Sequence, residues 1–408
     1  MANWRTYWYR FRRWVQSRRE SYYEFNCDSE FFVGMNICAL VGKIQMDSDD
    51  RGPKRLWKLF RVAMVLIFGL IGWRFYLDVV EGELEFVKLI NNVFICSTLL
   101  VTSVRSALIG WCYGDIGKIR AYCNGRQFLR EDPEVFEIRR KAYFVVKNVT
   151  VVILSNLVVF LSAPSLMIDV PAFRLPFTIP NMEWATYVCQ KVHILMIMTV
   201  GVNFMMNVLI IFMILFGLIT EGKVADCAFS RVFHQALNRQ TESGFWNELN
   251  DRFDECIEQH SLLLKKIALM RNLFESTFLV TYYSTTLHIA GGAFFLISSF
   301  KSFDMYMLQM INVIVMQIIE CFILSRWTTL LNDVHESIGD TVYGLDWPQQ
   351  LQHSERFSAQ YEAVRAKIVL TIERCNQPLR DQSDYHGSNT GGNLERIENL
   401  VNQHCETD

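Results

Sequence analysis

From Val192 to Thr220 the chain runs 29 residues without an Asp, Glu, Lys or Arg. At 1.5 Å per residue a helix of that length reaches about 44 Å, more than the roughly 30 Å hydrocarbon core of a bilayer. Its apolar residues fall on every side of the helix rather than along one stripe, so lipid or neighbouring spans must cover it. The run predicts an all-α, polytopic membrane helical bundle, with the lipid bilayer as its solvent.

Further apolar segments fit the same scheme. A first span is expected over 56–76, between Lys54, Arg55 and Lys58 on one side and Asp78, Glu81, Glu83 and Glu85 on the other. The second covers 87–111 and is followed by Lys118, Arg120, Arg126 and Arg130; the third starts after Lys141 and ends near Ala163. A loop with Pro164, Pro171, Pro176 and Pro180 leads to the fourth span from Trp184 to Thr220, and the fifth and sixth are expected over 274–300 and 305–324. Lys and Arg concentrate before span one and after spans two and four. By the positive-inside rule six full spans then leave both ends of the bundle in the cytosol, the N-terminus included. The patch Phe31 to Val41 is too short to cross and reads as re-entrant or interfacial. Ala225, Phe229, Val232, Phe233 and Ala236 keep helical spacing beyond Thr220, so the polar stretch that follows is expected to continue as helix outside the lipid.

These boundaries give six regions: a cytoplasmic N-terminal segment (1–55), the bundle of spans one to four (56–220), a cytoplasmic helical extension (221–273), spans five and six (274–324), cytoplasmic anchor helices (325–380) and a polar, disordered tail (381–408).

Composition narrows the function. A 51% hydrophobic chain that still carries 20% charged residues must sort its charges into loops, and a net charge of −2 gives no basic field for nucleic acid. The eleven cysteines show no CxxC and no His/Cys pair at zinc spacing, so they read as buried thiols, with neither a metal nor another cofactor expected. Asp47, Ser48, Asp49 and Asp50 lack the glycine and terminal glutamate of a calcium loop. Nucleophile elbows, phosphate-binding glycine loops, HExxH and paired-carboxylate motifs are absent, and no enzyme is expected.

Four motifs in chain order carry a family resemblance. They are Leu175-Pro176-Phe177 followed by Tyr187 and Gln190; Cys256 and His260 ahead of Leu262 and Leu263; Glu320-Cys321 with Tyr343 and Trp347; and Arg365 to Leu379, which ends Gln377-Pro378-Leu379. Together they resemble the insect odorant receptor family over about residues 25–380. The resemblance implies an odorant-tuning subunit of a ligand-gated cation channel, assembled as a heterotetramer with an odorant receptor co-receptor in the plasma membrane of olfactory sensory neurons. It implies a pocket for a small volatile odorant in the outer half of the bundle. Phe94, Phe160, Tyr187, Lys191, Ile194, Met198, Tyr283, Tyr306 and Met310 stand at the corresponding depth as ligand-binding candidates. Tyr187, Lys191, Ile194 and Met198 share one helical face, a pattern that ordinary helix packing also produces.

The sequence departs from the family after Leu379, where the apolar second half of the seventh, pore-lining span is expected but a polar stretch follows. The expectation is therefore a cytoplasmic helical half of span seven without its membrane half. A gustatory receptor of the same superfamily is the alternative, with a secondary transporter behind it. Among single residues, His193 and His288 read as satisfied interior histidines and His260 as structural. Arg105, Glu320, Arg271, Glu275 and Arg326 read as charges that snorkel to the interface and pair between helices or subunits.

Overall fold

The computed structural model describes residues 24–25, 30–32, 34–41, 51–80, 86–125, 128–162, 174–237, 241–298, 305–345, 351, 355–377 and 379. Among these, every regular element is helical: α1 (Met35–Val41), α2 (Arg51–Val80), α3 (Phe86–Trp111), α4 (Tyr113–Gly125), α5 (Pro133–Ser162), α6 (Glu183–Leu237), α7 (Glu242–Ser298), α8 (Met305–Tyr343), a 3-10 turn (Glu355–Phe357) and α9 (Ser358–Cys375). The expected tail, 381–408, lies outside the described residues.

Local chemistry sets several helix starts. Pro133 occupies the first helical position of α5, and Asp132 Oδ1 accepts the backbone N–H groups of Glu134 and Val135 at 2.9 and 3.1 Å. The third apolar segment therefore begins as helix at Pro133, ahead of the cationic Arg139, Arg140 and Lys141. Thr241 Oγ1 accepts the Gly244 N–H at 3.2 Å and starts α7. Ahead of α6, Asn181 takes a left-handed φ of 60°, which asparagine tolerates better than a bulky residue. There Thr186 Oγ1 accepts the Ile179 N–H at 2.9 Å and Gln190 Oε1 accepts the Leu175 N–H at 2.8 Å. The Leu-Pro-Phe motif and its glutamine are thus one turn-closing device.

Among the described residues four helices are long and apolar enough to cross a membrane: Lys58–Val80, Asn92–Trp111, Glu183–Leu237 and Met310–Tyr343. The third and fifth expected spans lie in α5 and α7; in α7 Thr277, Thr281, Ser284, Thr285 and His288 dilute the apolar run.

Two compact units emerge: Met1–Gly217 with Met270–Trp327, and Leu218–Leu269 with Thr328–Asp408. In the first, α6 is enclosed, every residue from Val202 to Leu215 being buried. Other helices, not lipid, cover it. By contrast Leu59, Val62, Val65 and Leu66 of α2 are exposed, an outward apolar face of the kind that lipid solvates. The short patch at Phe31 is buried: Phe31 and Phe32 precede α1, Phe31 N–H donates to Asn124 Oδ1 at 2.9 Å, and Gly34 turns the chain with φ +74°. The segment after span two is helical as α4, with Ile116, Ile119 and Cys123 inward.

The second unit is a helical packing in its own right. Ala225, Phe229, Val232, Phe233 and Ala236 of α6 are all buried, so the helical spacing marks a core face. Phe253 of α7 packs against Phe229 and Phe233, with ring centroids 6.4 and 5.9 Å apart. Asp226 accepts from Ser337 Oγ and Thr341 Oγ1 of α8 at 2.8 and 2.7 Å, and Lys367 of α9 meets Asp254 and Asn250 at 2.6 Å each. Gly339 is where α9 comes closest, since a Cβ there would stand 2.7 Å from Cys375 Cβ.

Candidate functional site

In the first unit an apolar cluster joins five helices. It contains Met64, Ile67 and Ile71 of α2, Phe94, Ile95 and Leu99 of α3, Ile194, Ile197, Met198 and Val200 of α6, Phe295 of α7, and Met307, Met310 and Ile314 of α8. Four methionines and two phenylalanines make an adaptable wall, because the unbranched thioether fits irregular shapes.

A small polar group adjoins this wall. The His288 ring of α7 lies 4.6 Å from the Phe94 ring, centroid to centroid. His288 Nδ1 is 2.7 Å from Gln317 Oε1 of α8, so with the amide in that orientation Nδ1 carries the proton and donates. Nε2 lies 2.6 Å from Ser97 Oγ and 3.3 Å from Thr98 Oγ1. Gln317 Nε2 is buried without a hydrogen-bond partner among the described residues, a donor whose desolvation nothing offsets.

A second polar layer contains a fully buried ion pair. Arg105 Nη1 of α3 lies 2.7 Å from Glu320 Oε1 and 2.9 Å from Oε2, and Nη2 donates to Thr281 Oγ1 of α7 at 2.7 Å. The guanidinium also stands 4.9 Å from the Phe204 ring centroid. Ser106 Oγ donates to Asn203 Oδ1 at 3.1 Å and accepts from Asn207 Nδ2 at 2.9 Å. Both charged side chains are only 1% exposed, so snorkelling, expected from sequence, does not apply to them: a partner one helix away removes the need for water. Interhelical pairing does apply. Arg271 instead pairs along its own helix with Glu275, at 2.9 Å.

The sequence candidates separate. Phe94, Ile194, Met198 and Met310 meet in the apolar cluster. Tyr187 and Tyr283 are 54% and 65% exposed, and Lys191 Nζ stands 5.6 Å from the Tyr187 ring centroid. Phe160 and Tyr306 lie outside the described side chains. His288 is a satisfied interior histidine, as expected. His193 is buried too, yet its Nδ1 has no partner among the described residues. Sequence reading missed Ser97 and Gln317, which are two among several polar residues of α3 and α8 and carry no spacing that sets them apart.

A family profile described as "7tm Odorant receptor" matches residues 85–380. The structure of the insect olfactory receptor OR5 from Machilis hrabei superposes with a TM-score of 0.55 at 10% identity, covering 91% of this chain and 90% of that one. The same receptor in complex with eugenol gives 0.55 at 12% identity, covering 85% and 89%. At such identities the likeness concerns the fold. Curated protein sequences give no match. With the profile spanning well over half its length, the chain belongs to the 7tm odorant receptor family: a multi-pass, all-α membrane receptor and not an enzyme.

Proposed function

We propose that the chain is the odorant-tuning subunit of a heteromeric ligand-gated cation channel, partnered by the odorant receptor co-receptor in the plasma membrane of olfactory sensory neurons. Six crossings with a cytoplasmic N-terminus form its membrane bundle (56–220 and 274–324). The extension 221–273 and the anchor helices 325–380 lie in the cytosol. Phe94, Ile194, Met198 and Met310 form the apolar wall of the ligand site.

The observation that carries this reading is the pairing of that wall with an unsatisfied donor: Gln317 Nε2 lies one turn from Ile314, beside His288 and Phe94. A small apolar molecule with one oxygen acceptor gains contact with the methionines and aromatics and relieves the unpaired amide. The eugenol in the complex of the structurally similar receptor is likewise small and largely apolar, with oxygen acceptors in its hydroxyl and methoxy groups. Binding favours the open arrangement only by its differential affinity for the open and closed states.

Co-expression with the co-receptor in oocytes tests the reading against a panel of phenols, esters and terpenes. Phe94→Ala and Met198→Ala are expected to raise the half-maximal concentration of an activating odorant by about tenfold each, a loss of about 1.4 kcal/mol. Val65→Ala, on the exposed face of α2, serves as the control. Unchanged sensitivity in the first two variants, at equal surface expression, refutes the site. Ligand uptake without current supports the secondary transporter instead.

A further inference from the structure

Three helices of the second unit bring together residues that the linear sequence keeps far apart. His260 of α7, His335 of α8 and Cys375 at the end of α9 offer one ligand atom each, and these three atoms lie within 4.8 Å of one another. All three side chains are buried. His260 Nε2 faces His335 Nδ1 at 3.3 Å. Two imidazole nitrogens bound to one metal at about 2.0–2.1 Å, near a tetrahedral angle, stand about 3.3 Å apart, so the pair is already at ligating separation. The His335 ring also hydrogen-bonds the backbone at Arg374 and Gln377, around the end of α9 that supplies the thiol. A metal-bound histidine is typically fixed by such a backbone partner.

We propose that His260, His335 and Cys375 form a binding site for a soft d10 metal ion, copper(I) foremost. The donors are two imidazoles and one thiol, a set that suits soft and borderline ions and excludes magnesium or calcium. Burial pushes the His260 ring down to about 3, so it is neutral with its lone pair available. Burial likewise pushes the Cys375 thiol up to about 12. Binding therefore forms a metal–sulfur bond and releases the thiol proton to solvent; no oxidation or reduction takes place. Copper(I) with one thiolate leaves the buried site neutral, whereas zinc(II) leaves it one positive charge, between the opposing fields of Arg374 and of Asp226 and Asp340 at Cys375; coordination number separates the two ions. Three protein donors are a complete set for copper(I), while zinc sites usually take a fourth ligand. A bound ion ties α7, α8 and α9 to one another. His260 and His335 are 75 residues apart in sequence, and no short-spacing motif marks them.

The full-length protein, purified in detergent after chelator treatment, is incubated anaerobically with copper(I) and ascorbate against a bathocuproine competitor. A parallel arm uses zinc(II) against a chromophoric zinc chelator. One equivalent of copper(I) is expected to remain bound, with X-ray absorption showing two nitrogens and one sulfur in the first shell. Cys375→Ser weakens retention at least about tenfold, and Cys227→Ser leaves it unchanged. Selective retention of zinc, lost in Cys375→Ser, keeps the site and overturns the choice of copper(I). No stoichiometric retention of either ion by monodisperse protein overturns the site, as does equal retention by Cys375→Ser. Where that variant fails to fold, the absorption spectrum of the unaltered protein decides: a first shell without sulfur overturns the proposal.

Discussion

The ion pair between Arg105 and Glu320 gives the sharpest test of how the first unit is held together. Both side chains are 1% exposed, joined at 2.7 and 2.9 Å, and the guanidinium is further held by Thr281 Oγ1 at 2.7 Å. Removing one partner of a buried pair leaves a charge without compensation and costs about 3–5 kcal/mol. The two losses are not equivalent. A lone carboxylate can take a proton and become neutral, but a guanidinium cannot lose one. Glu320→Met is therefore expected near the upper end of that range and Arg105→Met near the lower. The double variant Arg105→Met with Glu320→Met replaces the pair by apolar side chains of similar length, and should recover most of the loss. The assay is thermal unfolding of the four purified proteins in detergent, followed by fluorescence-detected gel filtration and read as a double-mutant cycle. A coupling of at least about 2 kcal/mol is expected. A double variant as unstable as the sum of the two single variants would falsify the account.

Three further outcomes follow from the described residues. In the second unit His260 titrates near 3 instead of its ordinary 6.5, because burial, His335 and Arg374 all oppose its charge. The folded state thus binds fewer protons than the unfolded state between those values, and stability present above pH 6.5 falls as the pH drops. About 2 kcal/mol is lost by pH 5 from this ring alone; chelator-treated protein that melts equally at pH 7 and pH 5 refutes this, and His260→Gln should flatten the profile. Gly339→Ala places a methyl group 2.7 Å from Cys375 Cβ, an overpacking expected to cost about 1–3 kcal/mol; an unchanged melting midpoint means α8 and α9 do not approach so closely. Asp132→Ala removes the acceptor for two N–H groups of α5 and should cost about 0.5–2 kcal/mol, whereas Asp132→Asn should largely retain the cap; equal losses in both variants argue against a capping role.

Much of the fold is legible in the sequence because a bilayer imposes a one-dimensional rule. The uncharged run to Thr220 announces a spanning helix without any knowledge of its neighbours, and the spacing of Ala225, Phe229, Val232, Phe233 and Ala236 announces its continuation. Boundaries are less legible. Pro133 and Asp132 begin α5 ahead of three cationic residues, and α4 hides its inward Ile116, Ile119 and Cys123 among polar neighbours. Of the candidate ligand residues, Tyr187, Lys191, Ile194 and Met198 share a helical face by spacing. Depth along α6 divides them, the upper tyrosine being exposed and the lower Ile194 and Met198 enclosed.

The amino-acid order by itself determined an all-helical membrane protein, its apolar segments, and the motifs by which the family is recognised, since each depends on length, hydrophobicity and neighbours a few positions away. Only the tertiary structure decided which charge answers Arg105, which residues surround His288, and that His260, His335 and Cys375 converge. Those pairings join helices separated by 29 to 215 residues, and packing, which is set by the whole bundle at once, leaves no periodic trace of them in the chain.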